Sequence, residues 1–71
     1  MVYVDKLRNT KRWKYSNYSH LTGDSESELL EFGKSIGLKE EWLQISNKGI
    51  KHFDIVASKR IIAVDRGAVE I

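Results

Sequence analysis

Residues 24–38 read DSESELLEFGKSIGL and carry the clearest helix signal in the chain. Ser25 followed by Glu28 is a capping-box pattern, which favours a helix start because the two side chains satisfy backbone N–H groups at that end. Gly37 is typical of a left-handed stop. The apolar residues between these ends recur at helical spacing and predict one buried stripe, formed by Leu29, Phe32 and Ile36.

Strand patterns flank this helix. Short runs rich in apolar or β-branched residues predict strands over Met1–Val4, Leu43–Ile45 and Ala68–Ile71. We expect His52–Ile55 to be an extended segment that leads into a second helix. A second helix is predicted over Ala57–Arg66, with an inner stripe that includes Ile61. The order β-α-β-α-β predicts a single α/β domain over residues 1–71, with a small three-stranded, largely parallel sheet and two short helices.

Composition limits the class of protein. The chain has 71 residues, a net charge of +2 and no cysteine, so neither disulfides nor a cysteine-based metal site can stabilise it. No apolar run approaches the roughly 20 residues of a membrane span, and residues 1–5 do not resemble a signal peptide, so we expect a cytoplasmic protein. A domain of this size supports only a small core, which makes a homo-oligomer an expected state.

The segment Asp5–Leu21 shows neither a helical nor a strand period, and we expect an irregular loop there. The segment is basic and aromatic. Arg8 follows the first strand, and Trp13 or a neighbouring tyrosine is a candidate for stacking on a ligand. Such a combination suits a nucleotide or single-stranded nucleic acid, whereas the small total charge argues against extensive coating of DNA. The alternative is that Trp13 belongs to the core and the cations are solvated.

Two imidazoles and two carboxylates are candidates for chemistry. His52 and Asp54 lie two residues apart, so their side chains point to the same side of an extended chain. Asp5 ends the first strand, and His20 lies in the expected aromatic loop. Together the four could bind a divalent metal or carry out acid–base chemistry on a phosphate ester. The alternative is structural, with Asp54 capping the second helix and His52 packing against a tryptophan.

Lys59 and Arg60 place two cations in the first turn of the second helix, where they oppose the helix dipole. An anionic ligand would offset this placement, and Ser58 could donate its hydroxyl and backbone N–H to the same anion. A nearby Asp54 would offset it as well. We assign no catalytic residue and no metal ligand, because no nucleophile elbow, phosphate-binding glycine loop or His-Glu-x-x-His pair is present.

Short motifs occur in order along nearly the whole chain: Val2-Tyr3-Val4-Asp5, Ser19-His20-Leu21, Gly37-Leu38, Trp42-Leu43-Gln44, His52-Phe53-Asp54-Ile55, Ser58-Lys59-Arg60 and Gly67-Ala68-Val69-Glu70-Ile71. Their order resembles the family known as domain of unknown function 4031, a family of small phage and bacterial proteins. The resemblance implies a compact α/β domain and is compatible with a phage origin, and it implies no activity. The family usually has threonine where Val56 stands, so that helix cap is lost here.

We therefore expect a non-enzymatic small protein that binds an anionic or nucleotide-like molecule without a cofactor, such as a phage protein that sequesters a host nucleotide signal. The candidate ligand-binding residues are Asp5, Arg8, Trp13, His20, His52, Asp54, Ser58, Lys59 and Arg60. Two other functions fit the same sequence. One is an adaptor or inhibitor that binds a host protein, and the other is a metal-dependent phosphoesterase or nuclease that uses the histidines and aspartates.

Overall fold

The computed structural model describes residues 1–9 and 17–71. Its strands are β1 (Val2–Val4), β2 (Arg8–Asn9), β3 (Asn17–Gly23), β4 (Gln44–Ile45), β5 (Lys51–Val56) and β6 (Val69–Glu70). Its helices are α1 (Glu26–Ser35) and α2 (Ala57–Asp65), with a short 3-10 turn over Glu40–Trp42. Within this part of the chain, neither helix has the length and apolar character needed to cross a membrane.

Five strands lie side by side in the order β4-β5-β3-β1-β6, and β2 also pairs with β3. The central strand β3 runs antiparallel to β1, β2 and β5. The outer strand β4 is antiparallel to β5, whereas β6 is parallel to β1. The sheet formed by the described residues is therefore mixed and mostly antiparallel.

The predicted three-stranded, largely parallel sheet in β-α-β-α-β order is wrong. The error arises in Asp5–Leu21, which we expected to be an irregular loop, because the central strand Asn17–Gly23 begins inside it. This strand buries Ser19 and Leu21 and alternates them with polar or aromatic residues. Since one of the two buried residues is itself polar, the hydrophobic alternation that usually indicates a strand is hidden.

One face of the sheet carries the core. Val4 lies opposite Leu21, and Leu21 lies opposite Phe53, so β1, β3 and β5 present a continuous row of buried side chains. Both helices pack on this row and add Leu29 from α1 and Ala63 from α2 to the same buried cluster. The opposite face of the sheet is therefore left to the residues that alternate with the core.

The helix ends follow the sequence signals. Ser25 is the N-cap of α1, and its hydroxyl accepts a hydrogen bond from the backbone N–H of Glu28. Gly37 has a φ of +86° and ends the helix in the left-handed region, as predicted. The second helix is also confirmed, but its expected stripe is wrong at Ile61, which is 71% exposed, because Ala63 faces the core instead.

Gly33 of α1 lies against the ring of Phe53. A Cβ added at Gly33 would lie 2.9 Å from Cε2 of that ring, which is 1% exposed and has little room to move. Overpacking of a core costs about 1–3 kcal/mol, which exceeds the ~0.5–1 kcal/mol that alanine gains over glycine inside a helix. We therefore expect Gly33→Ala to lower the free energy of unfolding by about 1–2 kcal/mol in urea denaturation.

The matched control is Glu31→Ala, on the exposed side of the same helix. Its free energy of unfolding should change by less than about 0.5 kcal/mol. A Gly33→Ala protein as stable as the wild type would contradict the close contact between α1 and β5.

Candidate functional site

The sheet face turned away from the helices carries His20, His52 and Asp54. These residues alternate with the buried residues of β3 and β5. His20 and Asp54 are direct cross-strand partners, and His52 precedes Asp54 by two residues on the same strand. The antiparallel register therefore brings together three of the residues that the sequence analysis selected.

The three side chains converge on one carboxylate oxygen. Nε2 of His20 lies 3.4 Å from Oδ1 of Asp54, and Nε2 of His52 lies 3.5 Å from the same atom. The two imidazole rings meet edge to face, with their centroids 5.0 Å apart. The side chains of the three residues are 28%, 12% and 17% exposed in the order His20, His52, Asp54. We call these three residues the His–His–Asp cluster.

The other nitrogen of each imidazole is already bonded. Nδ1 of His20 lies 2.9 Å from Oδ2 of Asp5, and Nδ1 of His52 lies 3.2 Å from the backbone oxygen of Ile50. A carboxylate and a carbonyl only accept hydrogen bonds, so each Nδ1 must carry the hydrogen. In a neutral imidazole, Nε2 then holds a lone pair. In that state, Nε2 of each histidine is a hydrogen-bond acceptor, and it faces another acceptor, the carboxylate of Asp54.

Oδ1 of Asp54 is buried and has no hydrogen-bond partner within residues 1–9 and 17–71. A buried polar atom without a partner costs about 1–3 kcal/mol, so such an atom in a native protein calls for an explanation, which includes a bound ion. A cation placed between the three acceptors would satisfy all of them together. The donor set of the cluster therefore fits a metal ion.

Asp5 holds His20 through both of its carboxylate oxygens. Oδ1 accepts a hydrogen bond from the backbone N–H of His20 at 2.7 Å, and Oδ2 accepts from its ring. The carboxylate thus takes the place of the Asp5 carbonyl at the end of the ladder between β1 and β3. That carbonyl accepts instead from Nε of Arg60 at 3.1 Å. Arg8 donates a hydrogen bond to Oδ2 of Asp5 at 3.1 Å and therefore lies beside the cluster.

The predicted cations of the second helix are bonded elsewhere. Nζ of Lys59 donates to the backbone oxygen of Ile36 at 2.7 Å, at the end of α1 where the helix dipole is negative. Arg60 holds the carbonyl of Asp5, as described above. Ser58 is exposed on α2. The unfavourable position of Lys59 and Arg60 at a helix start is therefore offset by acceptors within the protein.

The structural alternative for Asp54, as the cap of α2, is not what the fold shows. The N-cap of α2 is Val56, which gives no side-chain hydrogen bond in the described structure, so Asp54 does not act as the cap. In the part of the chain that the structure describes, the imidazole of His20 packs edge to face against the ring of His52. Trp13, the expected stacking residue, lies outside the described residues.

Two aromatic residues lie near the cluster: Tyr18, which was considered only among the tyrosines that neighbour Trp13, and Trp42, which was not selected. The ring of Tyr18 lies 5.5 Å from that of His20, edge to face. Trp42 is 49% exposed, and it lies in a cavity wall together with Asp54. The two-residue spacing between Tyr18 and His20 would have indicated the first, had β3 been recognised as a strand. No local signal in the sequence indicates the second.

The fold and the cluster define a small α/β protein with a histidine–carboxylate site on the sheet face opposite the helices. The chain matches the model of the family described as "Protein of unknown function (DUF4031)" over residues 2–71. It therefore belongs to that family, and the resemblance seen in the sequence is confirmed. Comparisons with curated proteins and with solved structures gave no match.

Asp54→Asn tests the unpartnered oxygen in metal-free protein. The asparagine amide can donate a hydrogen bond to an imidazole Nε2, whereas the carboxylate cannot. We expect this variant to raise the free energy of unfolding by about 1 kcal/mol, measured by urea denaturation at about pH 8 with EDTA present.

Asp65→Asn, in the exposed last turn of α2, is the matched control and should leave the unfolding free energy unchanged. If Asp54→Asn destabilises the metal-free protein instead, the carboxylate must have a donor, and the account of three converging acceptors is wrong.

Proposed function

We propose that this protein binds a divalent metal ion through His20, His52 and Asp54, and that Zn²⁺ is the best fit. One observation carries the proposal. The Nε2 atoms of two imidazoles lie 3.4 and 3.5 Å from a buried carboxylate oxygen that has no hydrogen-bond partner among the described residues. Such a group of acceptors is unfavourable by itself and becomes favourable when it coordinates a cation.

The donor set and its spacing favour zinc. Imidazole suits zinc and other transition metals, whereas magnesium and calcium take oxygen ligands. Metal–ligand bonds of about 2.1 Å place tetrahedral ligands ~3.4 Å apart and neighbouring octahedral ligands ~3.0 Å apart. The two separations from Oδ1 of Asp54, 3.4 and 3.5 Å, agree with the tetrahedral value, which is the geometry that zinc prefers, and all three ligand atoms lie within 4.8 Å of one another.

The surroundings of the cluster support this assignment. Histidines that bind a metal usually donate their other N–H to a carboxylate or a backbone carbonyl, which orients the ring. Asp5 accepts that bond from His20, and Ile50 accepts it from His52. Asp5 is therefore a positioning residue, and the three ligands are His20, His52 and Asp54.

Three protein ligands leave a fourth coordination position on zinc, where an anion can bind. We propose that the expected anionic or nucleotide-like ligand binds at this position, although Lys59 and Arg60 are bonded within the fold. Of the predicted cations, Arg8 is the one bonded beside the cluster, and its side chain is 55% exposed. It is therefore available to a bound anion.

A metal-dependent phosphoesterase is a second candidate, because the fourth position of a zinc site also holds a water that zinc makes more acidic. The residues that would bind this metal are the same three ligands. Hydrolysis of p-nitrophenyl phosphate by the zinc-loaded protein, lost in Asp54→Asn, would support this candidate. A substrate left intact would exclude it and leave a binding protein.

The proposals on partners and location follow from the sequence. A homo-oligomer, a host protein partner, the cytoplasm and a phage origin all stay predictions. Light scattering after size-exclusion chromatography tests the first, and a monomer would contradict it. A stoichiometric protein partner from host lysate, without a response to nucleotides, would favour an adaptor over the binding of a small molecule.

Titration of tag-free, EDTA-treated protein with Zn²⁺ tests the main proposal. The chain has two histidines and no cysteine, so no other imidazole or thiolate competes for the ion. We expect one bound Zn²⁺ per chain by calorimetry. The folded state should gain about 2.7 kcal/mol of stability at a free zinc concentration of roughly 100 times Kd.

Variants separate the ligands from their support. Asp5→Asn, which alters only the support, should weaken zinc binding by about 10–100-fold, and His52→Gln and Asp54→Asn should weaken it by more. Asp65→Asn is again the control and should bind as the wild type does. A folded wild-type protein that gives neither binding heat nor thermal stabilisation with zinc would disprove the proposal.

A further inference from the structure

A groove runs beside the cluster along the edge of β5. The outer strand β4 pairs only with Lys51 and His52, so in the described structure the rest of this edge has no strand beside it. The groove has a volume of about 320 Å³. Its wall is mostly apolar and includes Tyr18, Leu38, Trp42, Asp54, Val56 and Lys59. This volume lies at the small end of the range of about 300–1,000 Å³ for ligand pockets, so it suits a small molecule.

The groove offers an aromatic surface. Trp42 is 49% exposed, whereas Phe53 of the core is 1% exposed. A half-exposed indole in the wall of a groove presents a flat face on which a planar ring can stack, and every nucleobase has such a face. Tyr18 contributes a second aromatic side chain, whose ring lies edge to face with that of His20. The aromatic wall is therefore continuous with the His–His–Asp cluster.

The charges around the groove suit an anionic ligand. Asp54 belongs both to the groove wall and to the cluster, so the groove and the proposed zinc site share this one residue. Lys59 also lines the groove, and its bond to the oxygen of Ile36 uses only one of its three ammonium hydrogens. Nζ of Lys39 lies 5.6 Å from the centre of the Trp42 ring and adds further positive charge.

We propose that the zinc-loaded protein binds a nucleoside monophosphate, with its phosphate at the fourth coordination position of zinc and its base stacked on Trp42. This inference rests on the proposed zinc site. Arg60 is not free for the phosphate, because it is bonded to the Asp5 carbonyl and to Glu70. The base stacks in the groove because the wall is mostly apolar and includes the Trp42 ring, and stacking on an aromatic ring tolerates different bases.

The experiment is calorimetry on protein loaded with one equivalent of Zn²⁺ and freed of excess metal. The three probes are adenosine 5′-monophosphate, inorganic phosphate and adenosine. The first carries both the phosphate and the base, the second only the phosphate, and the third only the base with its sugar. We expect the monophosphate to bind at least about tenfold more tightly than either of the other two. Trp42→Ala should weaken its binding by about tenfold or more while the Kd for Zn²⁺ and for phosphate stays the same. Ile61→Ala, an exposed apolar residue of α2, is the control and should change none of these values.

The outcomes separate this inference from the zinc site. A protein that binds zinc but holds the monophosphate no more tightly than phosphate overturns the inference and leaves the zinc site standing. Equal binding of the monophosphate by wild-type and Trp42→Ala protein also overturns it, because the base is then not on Trp42. If the monophosphate binds equally tightly with and without zinc, its phosphate does not contact the metal, and the inference is overturned. Failure to bind zinc at all removes the zinc site, and the inference with it.

Discussion

The pairing of β3 with β5 is the constraint on which the rest of the structure depends. Its register sets Leu21 opposite Phe53 and His20 opposite Asp54. Because side chains alternate across a strand, the first pair faces the helices and the second faces away from them. One register therefore builds the hydrophobic core and the His–His–Asp cluster together. A slip of one residue would exchange the two faces and destroy both.

Asp5 links this sheet to its helices. Its carboxylate acts as a backbone carbonyl would at the end of the ladder, and at the same time it orients the ring of His20. The carbonyl that is displaced accepts from Arg60, which reaches it from α2. Two residues that were expected to bind a ligand, Asp5 and Arg60, therefore also hold other parts of the site in place. Arg60 keeps the backbone of Asp5 in place, and Asp5 keeps the imidazole of His20 in place.

The correct and incorrect predictions divide by the distance between interacting residues. The capping of α1 by Ser25 is a contact within three residues, and the sequence signal predicts it directly. The shared side of His52 and Asp54 also follows from local spacing. The sequence did not indicate the internal acceptors of Lys59 and Arg60, which lie 23 and 55 residues away along the chain. No local pattern indicates a hydrogen bond of that kind.

By itself, the sequence determined where the two helices begin and end and which residues of β5 share a face. These features depend on hydrogen bonds and steric limits within a few neighbouring residues. Only the tertiary structure decided that Asn17–Gly23 is the central strand, that the sheet is mostly antiparallel and that His20 meets His52 and Asp54. The physical reason is that strands pair through backbone groups, which nearly every residue possesses. Which strands become neighbours is therefore decided by the burial of the whole sheet face against both helices, including its polar residue Ser19.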